Sequence, residues 1–80
     1  WSKIGDNYYF GKNGVQQNYA EAVKWYRDAA EKGISMAQCN LGWCYEHGEG
    51  VEKNIEEAKK WYQLASDQGL EKAQARLEKL

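Results

Sequence analysis

Proline is missing from the chain, histidine, methionine and phenylalanine occur once each, and cysteine occurs twice in 80 residues. With no proline and no disorder-prone run, nothing in the sequence opposes an ordered helical protein. The single histidine, His47, leaves a structural zinc site short of the four ligands such sites take. Cys39 and Cys44 lie five positions apart, so on one helix they point about 140° apart around its axis. Their Cα atoms would then be roughly 8 Å apart, beyond the ~7 Å that a disulfide tolerates. Both are expected to be free thiols, comfortable in a reducing compartment such as the cytoplasm.

There is no long apolar run, signal peptide or lipidation motif from which a membrane span or an address can be read. Charge of one sign is lacking too. The formal net charge is −1, with lysines and arginines scattered among glutamates at helical pair spacing, as in Glu21 with Lys24 and Glu56 with Lys60. No basic patch forms, so neither nucleic acid nor an anionic membrane surface is an expected partner. A chain this short buries only a modest core unless something extends it. Opening on Trp1 without an initiator methionine, it reads as a piece of a longer protein.

What is present is written twice. Glu21, Ala22, Lys24, Trp25, Tyr26, Ala29, Gly33, Ala37, Gln38 and Leu41 recur thirty-six positions on as Glu57, Ala58, Lys60, Trp61, Tyr62, Ala65, Gly69, Ala73, Gln74 and Leu77. Gly14, Val15 and Asn18 recur in the same register as Gly50, Val51 and Asn54. Upstream the offset is thirty-seven, matching Ile4, Gly5, Tyr8 and Gly11 to Leu41, Gly42, Tyr45 and Gly48, so the first loop carries one inserted residue. Such a period is the signature of a repeat architecture.

Each repeat reads as two helices. Ala22, Trp25, Tyr26 and Ala29 fall on one helical face. Asn18 with Glu21, and Asn54 with Glu57, have capping-box spacing, and Gly33 and Gly69 stand where a left-handed residue ends a helix. Ser35 with Gln38 is a third candidate box, opening a helix whose stripe is Ala37, Leu41, Cys44 and Tyr45. Helices are predicted near 2–11, 19–32, 35–47, 55–68 and 70–79. Short hairpins with apolar faces on both sides must stack on one another, which makes an all-α solenoid of antiparallel helix pairs.

The run "AQCNLGWCYEHGEGVEKNIEEAKKWYQLASDQG" resembles the Sel-1-like repeat, a branch of the tetratricopeptide superfamily, in its A-x-x-x-L-G-x-x-Y, G-x-G-V and A-x-x-W-Y-x-x-A elements. Two repeats, about 1–33 and 35–69, are followed by a helix over 70–80 that has Glu78 in place of the family's glycine and reads as a cap. The resemblance implies a protein–protein interaction scaffold without chemistry or cofactor of its own. The alternative is a structural spacer within a longer array.

Several residues could suggest more. Cys44 and His47, one turn apart, suit a metal or a nucleophile in spacing. Cys44, however, lies on the apolar stripe near a helix C-terminus, where the dipole raises a thiol pKa, and His47 complements that dipole. The GKNGV and GEGV loops follow a helix and so meet its negative end, unlike phosphate loops; they read as turns needing positive φ. Trp25 and Trp61 are expected in core or inter-repeat packing. Trp43 lies off the stripe, and the resemblance places that face of the first helix of each pair along a concave groove. Candidate partner-binding residues are therefore Met36, Cys39, Asn40, Trp43, Glu46 and His47, with Asp6, Tyr9 and Phe10 from the first repeat and Lys79 from the last helix. A protein or peptide partner would be anchored by Trp43, unless that side chain simply covers a neighbouring helix.

Overall fold

The computed structural model describes residues 3–80. Its described residues form five helices and no strand: α1 Lys3–Phe10, α2 Tyr19–Glu31, α3 Ser35–His47, α4 Ile55–Asp67 and α5 Glu71–Lys79. Each packs on the next in chain order, so α1/α2 and α3/α4 are two successive hairpins and α5 closes the last one. The sequence-predicted start of the first helix near Ser2 lies outside the described residues.

Local chemistry sets the boundaries. The side-chain oxygens of Asn18 and Asn54 accept from the backbone N–H of Glu21 and Glu57 at 3.2 and 3.1 Å, capping α2 and α4 alike. At the other end of α2, Ile34 N–H donates to the Ala29 carbonyl and Gly33 N–H to that of Ala30. Leu70 and Gly69 repeat this onto Ala65 and Ser66. These are Schellman closures, and they require the positive φ of Gly33 (89°) and Gly69 (91°). The GKNGV and GEGV loops turn through positive φ as expected, and Asn13 takes φ 57° in the longer one. Despite the inserted residue both loops close on equivalent bonds, from Asn18 N–H to the Tyr8 carbonyl and from Asn54 N–H to that of Tyr45.

Ser35 is not a cap. Ile34 holds the N-cap position of α3 without a side-chain hydrogen bond, and Ser35 is the first helical residue. Gln38 is buried and donates from Nε2 to the Ala30 carbonyl at 3.1 Å, while its Oε1 accepts from Gln68. The tight hairpin sets the Ala30 carbonyl, which also accepts from Gly33 N–H, over Gln38 Nε2, while Gln68 takes Oε1, so both ends of the Gln38 amide are spent on tertiary contacts and none on the helix start.

The core falls into two clusters. Ala22, Val23, Tyr26, Ala29 and Ala30 of α2 pack with Ala37, Leu41 and Cys44 of α3 and with Trp61. Cys39, Ala58, Tyr62, Ala65 and Ala73 form the second, across α3, α4 and α5. Gly42 lets α3 and α4 close up: a Cβ there would stand 2.9 Å from the Tyr62 ring and 3.2 Å from the Ala58 carbonyl. Trp61 is packed as predicted, but Trp25 is half-exposed, because α2 has no earlier helix pair against that face among the described residues.

Candidate functional site

A cavity of about 300 Å³ runs across α1, α3 and α5, lined by Asp6, Tyr9, Phe10, Tyr26, Cys39, Asn40, Trp43, Lys72 and Arg76. Helical spacing builds it. Asp6, Tyr9 and Phe10 lie one turn apart on α1, and Cys39, Asn40 and Trp43 do so on α3. Lys72 and Arg76 lie four apart on α5, and the buried Tyr26 of α2 stands behind.

Most of the polar groups here are already engaged. The Tyr26 hydroxyl donates to Asp6 Oδ1 at 2.6 Å, and the Tyr9 hydroxyl donates to Glu49 Oε1 at 2.5 Å. In the second repeat the Tyr62 hydroxyl donates to Glu46 Oε1 at 2.7 Å. Tyr26 and Tyr62 are thus repeat equivalents, each held by a carboxylate on the first helix of its pair. The carboxylates are not equivalent: Asp6 aligns with Trp43, and Glu46 with Tyr9. The carboxylate and the aromatic have exchanged places by one helical turn.

Around Glu46 the charges form a chain. Arg76 Nη2 bonds Glu46 Oε2, and the His47 Nε2 lies 3.6 Å from the same oxygen. The Arg76 guanidinium lies over the Trp43 ring with Cζ 4.7 Å from its centroid, and the His47 ring packs on Trp43 at 4.2 Å. Trp43 is therefore half-buried, one part of it propping its neighbours and another lining the cavity. Beside it, Phe10 is 57% exposed, with Lys12 Nζ 4.9 Å from its ring centroid and Tyr9 edge-on at 4.8 Å.

Protonation states follow from these contacts. Burial pushes the Tyr26, Tyr62 and Tyr9 hydroxyls well above the ordinary tyrosine range, and their carboxylate acceptors push further the same way. Burial works to raise the Glu46 carboxyl, but the Tyr62 hydroxyl and Arg76 outweigh it and hold the group below the usual range. Burial raises both thiols, Cys44 to about 12, while the charges of Lys72 and Arg76 partly offset the rise at Cys39.

Of the ten residues singled out from sequence, Asp6, Tyr9, Phe10, Cys39, Asn40 and Trp43 meet at the cavity. Met36, Glu46, His47 and Lys79 do not line it, although Glu46 and His47 brace Trp43 and Arg76 from beside it. Cys39 reaches the cavity wall but is only 3% exposed, enclosed by Ala58, Tyr62, Ala65 and Ala73. Cys44 is fully buried in the core, as its place on the stripe required, whereas His47 is exposed and turned to Trp43 and Glu46. Among the described residues no group of three or more His, Cys, Asp or Glu is placed to hold a metal ion. Among the described residues, too, no helix is long and apolar enough to cross a membrane.

Sequence reading missed Lys72, Arg76 and Tyr26. The signal for the first two was present, since the thirty-six residue register carries Met36 to Lys72 and Asn40 to Arg76. Tyr26 was assigned to the core stripe alone, and it is indeed buried while also closing the back of the cavity.

Comparison with known proteins adds three findings. The family profile of the Sel1 repeat matches residues 2–34 and 35–70. Among solved structures, a Sel1 repeat protein from Oxalobacter formigenes superposes with a TM-score of 0.90 at 46% identity, over 92% of this chain and 30% of that one. A protective antigen of uropathogenic Escherichia coli displaying an SLR fold superposes with a TM-score of 0.86 at 46% identity, over 89% of this chain and 15% of its own. Among curated proteins, the ERAD-associated E3 ubiquitin-protein ligase components HRD3B and HRD3A of Arabidopsis thaliana are each 39% identical over 46 residues, or 58% of this chain. The chain spans 8% and 7% of the length of these two relatives.

Proposed function

Since the chain belongs to the Sel1 repeat family, whose repeats mediate protein–protein interactions, we propose that it is a protein-binding module that receives its partner on the face formed by α1, α3 and α5. The observation that carries this reading is the cavity across those three helices, where the half-exposed aromatics Phe10 and Trp43 stand among polar side chains. Interface anchors are commonly aromatic residues in such surroundings. Trp43 is the anchor, and Tyr9, Phe10, Asn40, Lys72 and Arg76 surround it. Glu46 and His47 act indirectly by holding Trp43 and Arg76 in place, and Met36 and Lys79 lie outside the contact.

The module works as a binding segment of a larger assembly, as its curated relatives, named as ligase components, suggest by analogy. It carries no catalysis of its own. Both thiols are buried and held protonated, which is the reverse of what a nucleophilic cysteine needs.

A photo-reactive amino acid placed at Asn40 or, as a control, at Lys59 on exposed α4 surface tests the face directly, with the chain in its natural context. Partner adducts from position 40 and not from position 59 are expected. Adducts from 59 alone would contradict the assignment, and adducts from neither would favour a spacer without a partner of its own.

A further inference from the structure

Three charged side chains line the cavity, and two are committed: Asp6 accepts from Tyr26, and Arg76 is bonded to Glu46. Lys72 is exposed, and among the described residues it has no ion-pair partner. Its side chain nonetheless lines the cavity, as Cys39 does. Asn40, half-buried on the neighbouring helix, likewise has no side-chain hydrogen-bond partner among the described residues. A cation and an amide N–H, both unspent, thus face one space beside the apolar surfaces of Phe10 and Trp43.

That set of donors is short by one acceptor carrying a single negative charge. A nucleic-acid backbone would need many cations, and the cavity offers two, of which Arg76 is paired with Glu46. A carboxylate takes a charge-assisted bond from an ammonium and a second bond from an amide. With an apolar floor adjoining, the complementary ligand has a carboxylate and an apolar group side by side. Resting on the proposed binding face, we infer that the cavity receives a peptide segment in which an acidic side chain lies next to a large apolar one. Lys72 and Asn40 take the carboxylate, and Phe10 and Trp43 take the apolar side chain.

Selection of a displayed random dodecapeptide library on the 80-residue chain tests this, followed by affinity measurements on the recovered peptides. The expected yield is enriched in Asp or Glu beside Leu, Phe or Trp. Lys72→Glu should weaken those peptides by about tenfold or more, as loss of a close interfacial charge pair does. Replacing the peptide's acidic residue with Lys should recover binding to Lys72→Glu, and circular dichroism should show the fold of this exposed-site variant unchanged. Selected peptides without a carboxylate, or binding that Lys72→Glu leaves intact, would overturn the inference. If Trp43→Ala abolishes that binding all the same, the face survives as a binding surface with a different ligand chemistry. Binding indifferent to both substitutions would overturn the face as well, and a library that yields no binder would overturn the peptide ligand.

Discussion

Trp25 and Trp61 hold the same position in successive repeats, yet Trp61 is 8% exposed and Trp25 is 37% exposed. Trp61 lies in the cluster built by α2 and α3, beside Arg27, Glu31, Tyr45 and Val51. Trp25 stands with Lys24, Arg27, Asp28 and Glu31 of its own helix and belongs to neither buried cluster. Trp61→Ala should therefore cost about 3–5 kcal/mol through lost burial and cavity formation, and Trp25→Ala no more than about 1 kcal/mol. Urea unfolding of the two variants checks this, and equal losses would show that the repeat boundary is misplaced.

Gly42 is the point of closest approach between α3 and α4. A methyl group there would meet the Tyr62 ring and the Ala58 carbonyl, so Gly42→Ala should destabilise by about 1–3 kcal/mol even though alanine favours helix. Ala58→Leu, at a fully buried site of the same interface, should cost a similar amount. Unchanged melting in either variant would contradict the packing.

Alkaline pH should unfold the protein through its tyrosines. The folded values of Tyr26 and Tyr62 lie above the ordinary 10.0, mainly because of burial and then because each donates to a carboxylate. A group raised in the folded state contributes stability that is fully present below its unfolded value and lost as pH rises past it. Stability should thus hold to about pH 10 and fall above it, less steeply in Tyr62→Phe. Glu46 acts at the other end with the opposite sign. Its lowered folded value makes its contribution complete above the ordinary 4.5 and lost as pH falls through the folded value, and Arg76→Gln should move that loss to higher pH. Denaturant titrations across pH decide both, and slopes identical to wild type in these variants would refute them.

The fold was legible because its rules are local and stated twice. Asn18 and Asn54 cap, Gly33 and Gly69 terminate, and the alanine stripes face neighbouring helices, all within one or two turns of the residues that encode them. Ser35 misled because its competitor, the Ala30 carbonyl over Gln38, comes from the preceding helix. Trp25 misled because an equivalent position in the sequence is not an equivalent environment at the edge of a stack. The proposed binding face was half legible: spacing placed six of the residues that line its cavity, while Lys72 and Arg76 enter through the register of α5, and no spacing rule reveals that Glu46 is spent on Tyr62 and Arg76.

The thiols should be inert in the native state. Burial raises both, and Cys39, eased by Lys72 and Arg76, should label faster than Cys44. Alkylation at neutral pH followed by mass measurement is expected to show little native modification and two adducts after denaturation. Rapid native labelling of Cys44, or a two-dalton loss from a Cys39–Cys44 disulfide in the monomer, would be incompatible with these positions.

The most direct measurement is the affinity of a cross-linked and identified partner for wild type and for Trp43→Ala, taken together with the melting temperature of each. Trp43 touches the cavity on one side and Arg76 and His47 on the other, outside the two buried clusters. Loss of about 2 kcal/mol or more of binding, roughly thirtyfold in Kd, is expected with only a small change in melting. Unchanged affinity, or binding lost only because the variant no longer folds, would contradict the placement of the partner on the α1, α3 and α5 face with Trp43 as its anchor.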